Sequence, residues 1–195
     1  MTTDRSPQPV YPRWSKTLLD RSQVVVRPLT RADRDATRTF LAALSSESRR
    51  HRFMRSTDDL GETQLEALVA VNRPTAVAYA AVTKEDSRER IVAIGHGTRD
   101  ADSGFVCTLA VADEWQEKGL GTFLLGQLIA SARRRGLRRV YLHAYAENVR
   151  LNDLVRALGF STQAEVDHPR RVIHFLSLVR AEPTDRDACP QADDQ

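Results

Sequence analysis

Gln116-Glu117-Lys118-Gly119-Leu120-Gly121-Thr122 forms a Q-x-x-G-x-G turn between an apolar run at 105–111 and an amphipathic stretch that begins at 119. Glycine has no Cβ, so a backbone with two of them comes close to a bulky anion while successive N–H groups turn toward it. A helix starting at the turn adds the positive end of its dipole. The stretch therefore reads as a pyrophosphate cradle. In isolation the same residues would equally describe a helix packed tightly on its strand. The strand before it and the second strand, asparagine and Gly-Phe pair after it favour the cradle.

Working outward, the helix predicted over 119–135 carries Phe123, Leu124, Leu128 and Ile129 on one face and stops at Gly136, with Arg133–Arg135 beside the negative end of its dipole. A strand at 138–146 and a helix at 149–158 follow, then strands at 160–165 and 172–179 around a turn at His168-Pro169. Upstream, 75–83, 90–98 and 104–112 are apolar strands joined by polar turns. Before them lie a β-branched first strand at 23–29, a helix from the Thr30/Asp33 capping pair to about 44, and helices at 46–53 and 63–71. The order β-α-α-α-β-β-β-α-β-α-β-β contains one strand-helix-strand crossover and predicts a mixed, mostly antiparallel sheet of about seven strands flanked by helices, an α/β (α+β) fold. Residues 1–21, with Pro7, Pro9 and Pro12, are expected to drape over the surface, anchored by Tyr11 and Trp14. Residues 22–180 form the domain, and 181–195 are expected to be a disordered acidic tail.

The 195 residues suffice for one core. Of 29 basic residues only Lys16, Lys84 and Lys118 are lysines, so the chain is arginine-rich, yet 26 acidic residues hold the net charge at +3. That balance argues against a nucleic-acid partner, and the arginines at 133–139 are accounted for by the helix dipole. Cys107 and Cys189 make no disulfide framework, and Cys107 reads as a core thiol inside a strand. No stretch approaches the ~20 apolar residues of a membrane span, so a cytoplasmic protein is expected. No metal site is expected.

This order of elements, with Q-x-x-G-x-G after the fourth predicted strand, resembles the GNAT superfamily of acetyl-CoA-dependent N-acetyltransferases over residues 22–180. Val26-Arg27-Pro28-Leu29, Leu44-Ser45-Ser46-Glu47-Ser48 with Arg52-Phe53, and Val111-Ala112-Asp113-Glu114-Trp115-Gln116 are similar to the GNAT domain of the bacterial protein-lysine acetyltransferases called Pat. The resemblance implies a GNAT fold splayed between the fourth and fifth predicted strands, with acetyl-CoA wedged into the opening. It implies that Leu109 and Val111 offer main-chain groups to the pantetheine, that Gln116, Glu117, Lys118, Gly119, Leu120, Gly121 and Thr122 hold the pyrophosphate, and that Asn148 contacts the cofactor. Asn148 is also a good N-cap, and the two roles are compatible.

The resemblance further implies direct attack by a primary amine, expected to be a protein lysine, on the thioester. A lysine ammonium near 10.4 must first lose a proton. Here the family pattern breaks: Val106 stands where Pat-like enzymes hold a catalytic glutamate, Phe105 and Cys107 are not carboxylates, and Val155 replaces the tyrosine that often protonates the thiolate. Two residues are candidate bases. A tight turn at 99–103 places His96 across from residues 106–108, and Glu147 sits beside Asn148 at the mouth of the splay. His143 and His174 are strand residues of undetermined face. The missing side chains also fit a weakened domain that holds acetyl-CoA as a regulatory module, and a small-amine acceptor is a further alternative.

Overall fold

Trp14–Thr17 (β1), Gln23–Pro28 (β2), Ala76–Glu85 (β3), Arg88–Arg99 (β4), Gly104–Val111 (β5), Arg139–Tyr145 (β6), Ser161–Glu165 (β7) and His168–Ser177 (β8) are the strands of the computed structural model, which describes residues 13–54, 61–69, 75–85, 88–102 and 104–179. Arg34–Ala43 (α1), Ser46–Phe53 (α2), Glu62–Val69 (α3), Leu120–Arg134 (α4) and Val149–Ala157 (α5) are its helices. One sheet holds all eight strands in the order β1-β2-β3-β4-β5-β6-β8-β7. Every neighbouring pair is antiparallel except β5–β6, the parallel pair that α4 connects.

Alternating side chains give the sheet two apolar faces. On one, Leu120, Leu124, Leu125, Leu128 and Ile129 of α4 and Val155 of α5 pack on Val24, Val26, Phe105, Cys107, Val140 and Leu142. On the other, Phe40 and Leu41 of α1, Leu44, and Leu68 and Val69 of α3 cover Leu29, Ala78, Ala80, Ile94 and Ala110. Each fully buried leucine contributes roughly 2 kcal/mol of transfer free energy. Leu29 and Val26 have no exposed surface, and between them Arg27 turns to the Asp33 carboxylate with Nη1 and Nη2 at 2.9 and 2.7 Å. Asp33 Oδ2 also accepts from the N–H and hydroxyl of Thr30, both at 2.8 Å, which fixes the entry to α1.

The sheet has one strand more than the sequence suggested. Trp14–Thr17 pairs with β2 from Trp14↔Val26 to Thr17↔Gln23, and the Trp14 ring meets Tyr79 edge-on at 5.4 Å. Part of the segment expected to drape is therefore an edge strand, too short to show a period in the sequence. The last hairpin also turns earlier than expected: Glu165 pairs with His168, so the turn is Val166-Asp167 and β8 already includes Pro169. Tyr11 and the tail 181–195 lie outside the described residues. Among the described residues, no helix is long and apolar enough to cross a membrane.

Candidate active site

The cradle is built by the backbone. A 3-10 turn at Asp113–Trp115 ends at Gln116, the chain then takes positive φ at Glu117 (59°) and Gly119 (82°), and α4 starts at Leu120. This alternation aims consecutive N–H groups into one concavity. From Glu117 to Thr122 none of these groups has an acceptor among the described residues, whereas Phe123 already donates to Gly119 O at 3.1 Å. Gly121 faces α5 so closely that a Cβ there would lie 3.0 Å from Leu154 Cδ1. The side chains at the rim are engaged: Lys118 Nζ pairs with Asp20 Oδ2 at 2.8 Å, and Glu117 with Arg150 at 3.1 Å.

Gln116 has a different place from its neighbours. Its Nε2 points inward and donates to Ser48 Oγ (3.1 Å), Val111 O (3.1 Å) and Asp113 Oδ1 (3.3 Å), and its own N–H goes to Asp113 O. Asp113 in turn accepts from Ser45 N, Ser45 Oγ and Ser48 Oγ at 3.1, 2.9 and 2.8 Å. Partial burial pushes the Asp113 carboxyl up, but the hydrogen bonds from Ser48 and Ser45 outweigh it and hold it below the usual range. Ser45 also caps α2 by accepting from Ser48 N. The serine-rich segment and the glycine turn thus form one network, which holds the cradle from behind.

Beside the cradle the sheet opens. β5 and β6 pair only over Gly104↔Arg139, Phe105↔Val140 and Val106↔Tyr141, and then part. Ala112 donates its N–H to Val92 O on β4 at 2.9 Å, so by alternation Leu109 and Val111 turn their main-chain groups away from β4, into the opening. Asn148 stands on the opposite wall, where its Oδ1 caps α5 at Leu151 N (3.2 Å).

The two candidate bases are tied into the structure in other ways. His96 pairs with Thr108 in the register, on the face under α2, and His96 Nε2, Thr108 Oγ1 and Arg52 Nε are all buried without a hydrogen-bond partner. Burial first, then the nearby Arg52 charge, pushes His96 down to about 4. A lysine ammonium lies about six pKa units higher, so His96 is a poor proton acceptor. Glu147 is ion-paired with Arg50, whose guanidinium also lies 4.6 Å above the Tyr145 ring, and this joins α2 to the end of β6. Val106 lies between Thr98 and Tyr141 with no carboxylate in its place, and Val155 of α5 is buried in the core. Cys107 is buried, which pushes its thiol up and makes it inert. His174 is buried against Thr162 at 2.8 Å. Glu165, which bonds His143 Nδ1 at 2.8 Å, carries no motif or spacing that would single it out in the sequence.

A family model, acetyltransferase (GNAT) family, matches residues 30–160. An acetyltransferase of Pseudomonas aeruginosa is 34% identical over 166 residues, covering 85% of this chain and 89% of that protein. The chain belongs to the GNAT acetyltransferase family. That membership carries the enzyme class, an acetyl-CoA-dependent N-acetyltransferase. In structure, the chain is similar to the GNAT domain of Streptomyces lividans PAT, with a TM-score of 0.76 at 20% identity over 85% of this chain and 97% of that one. It is also similar to a cAMP-binding acyltransferase of Mycobacterium smegmatis, with a TM-score of 0.59 at 19% identity over 87% of this chain, which spans about half (48%) of that protein. GNAT members use acetyl-CoA. The residues present fit it: the six main-chain donors from Glu117 to Thr122 have no acceptor among the described residues, and they adjoin the opening between β5 and β6.

Proposed function

We propose that this chain moves the acetyl group of acetyl-CoA to the side-chain amine of a lysine in a protein acceptor. The observation that carries the reading is the run of N–H groups from Glu117 to Thr122, which have no acceptor among the described residues and lie at the positive end of α4 beside the splay. The cradle would take the pyrophosphate of acetyl-CoA. Leu109 and Val111 would hold the pantetheine by main-chain hydrogen bonds, with Asn148 on the facing wall. Fixing the thioester against an incoming amine supplies most of what a direct transfer needs besides proton removal. The protein acceptor is supported by the likeness to the GNAT domain of S. lividans PAT and by the segments Val26–Leu29 and Leu44–Ser48, which resemble that group.

Calorimetry with acetyl-CoA, followed by thiol release with an acyl-CoA synthetase as acceptor, tests the reading. Binding in the micromolar range and thiol release that depends on the acceptor are expected. Absence of acetyl-CoA binding would sink it. Tight binding without turnover on protein or small-amine acceptors is the outcome expected of a regulatory acetyl-CoA-binding module, the reading that Val106 in the glutamate position favours.

A further inference from the structure

Strand β6 carries a histidine held by a carboxylate. Val140, Leu142 and Ala144 are buried, the first two in the core beneath α4, so Tyr141, His143 and Tyr145 face the other way. That side is the one α2 occupies, because Arg50 and His51 of α2 lie against the Tyr145 ring at 4.6 and 6.1 Å. Val106↔Tyr141 is the last parallel pair before β5 and β6 part. Two residues further along each strand, Thr108 and His143 flank the start of the opening on this same face. The His143 side chain is 42% exposed, while its partner Glu165 is 17% exposed. Glu165 reaches it from the edge strand β7 across β8. There the register jumps from Ala164↔Val172 to Glu165↔His168, an irregularity of the kind that re-aims side chains. Glu165 Oε1 holds His143 Nδ1 at 2.8 Å, and Oε2 is buried with no other partner.

We propose that His143, oriented by Glu165, is the proton acceptor for the amine in this active site. The assignment rests on the acetyltransferase reading above. An ionised carboxylate only accepts, so it fixes the hydrogen on Nδ1 and leaves the Nε2 lone pair outward. The charged groups on this face gather around Tyr145: Arg171 of β8, which lies over its ring and donates to Met54 O, and Arg50 and His51 of α2. In the reaction the ammonium gives one proton to Nε2, directly or through water. The neutral nitrogen then attacks the thioester carbonyl, a C–N bond forms and the C–S bond breaks. As the tetrahedral intermediate collapses, the nitrogen gives its second proton to solvent, and the sulfur leaves as thiolate and takes up one proton from the imidazolium or from solvent. The products are the acetamide, the CoA thiol and one released proton. Glu165 is a positioning residue, since it acts through the ring.

The test uses the full chain with acetyl-CoA and, as acceptors, an acyl-CoA synthetase, Nα-acetyl-lysine and hydroxylamine, which is already neutral at pH 7. In His143→Ala, kcat toward the lysine acceptors should fall about 100-fold or more. The KM for acetyl-CoA should hold, and added imidazole should restore part of the rate. Turnover of hydroxylamine should be largely spared. Glu165→Gln should lower kcat about tenfold without altering acetyl-CoA binding, and His143→Gln, with an unchanged melting temperature, guards against a folding effect. The assignment is overturned if His143→Ala stays within threefold of the unmodified protein, or if it loses rate equally toward hydroxylamine with no rescue by imidazole. An unmodified protein that binds acetyl-CoA yet acetylates none of these amines overturns the transferase reading and this assignment together.

Discussion

Gln116 donates from Nε2 to the hydroxyl of Ser48 at 3.1 Å, joining residues 68 positions apart. Through this bond and those to Val111 O and Asp113, the first residue of the glycine turn locks α2, the end of β5 and the cradle into one body. Gln116→Ala leaves these acceptors without their donor, which costs about 1–2 kcal/mol. Stability should fall by that amount in a denaturant titration, and calorimetry should show acetyl-CoA affinity falling several-fold with the loosened cradle. Unchanged affinity in a destabilised variant would show that the cradle stands without this support.

Gly119 and Gly121 are required for separate reasons. At φ 82° a side chain on Gly119 strains the backbone by about 1–2 kcal/mol, whereas at Gly121 a Cβ meets Leu154 Cδ1 at 3.0 Å. Gly121→Glu adds a negative charge where the pyrophosphate is expected, so acetyl-CoA binding should be abolished in calorimetry. Gly119→Ala should weaken it about tenfold, about 1.4 kcal/mol. Full affinity in Gly121→Glu would remove the anion from this cradle.

Much of this site could be read from sequence because its signals are local. Q-x-x-G-x-G needs only its own backbone, and the helix over Leu120–Arg134 shows its period directly. The unreadable parts depend on partners distant in sequence. Nothing in Ser45–Ser48 announces that its hydroxyls will meet Asp113 and Gln116. The tight-turn rule placed His96 opposite 106–108, and the register chose Thr108, but burial under α2, which removes its basicity, belongs to the tertiary structure. Glu165 was invisible because alternation along β7 is broken at Ala164/Glu165. Trp14–Thr17 offers four residues, too few for a strand period.

The Arg27–Asp33 pair gives the fold a dependence on acid. Burial alone would raise the Asp33 carboxyl, but Arg27 and Thr30 outweigh it and hold the group below the usual carboxylate range. A carboxylate depressed in the folded state contributes stability that is fully present above the unfolded value and is lost as pH falls through the folded one. At pH 7, Asp33→Asn takes the two charge-assisted bonds from Arg27 but leaves Glu89 on its Nε at 2.9 Å, and should cost about 2 kcal/mol, or roughly 4–8 °C in melting temperature. In scans from pH 7 downward, the gap between the unmodified protein and Asp33→Asn should hold to about pH 4 and shrink below it. A gap that stays constant to pH 2 would mean that the charge on Asp33 contributes little.

His96 has the same sign for a different reason. It is a base whose folded value, about 4, lies below the roughly 6.5 of a free imidazole. As pH falls below 6.5 the unfolded chain takes up the proton first, so stability is lost between about 6.5 and 4 and the loss then levels off. The amount is on the order of 3 kcal/mol. His96→Gln removes this titration, so its denaturant midpoint should change less with pH across that window than the midpoint of the unmodified protein, whatever the offset at pH 7. Because His96 is neutral and buried throughout the range in which an acetyltransferase would work, kcat in His96→Gln should stay within about tenfold, with the same dependence on pH. A fall of 100-fold or more, together with loss of the acidic limb of the rate profile, would return the proton transfer to His96 and remove it from His143.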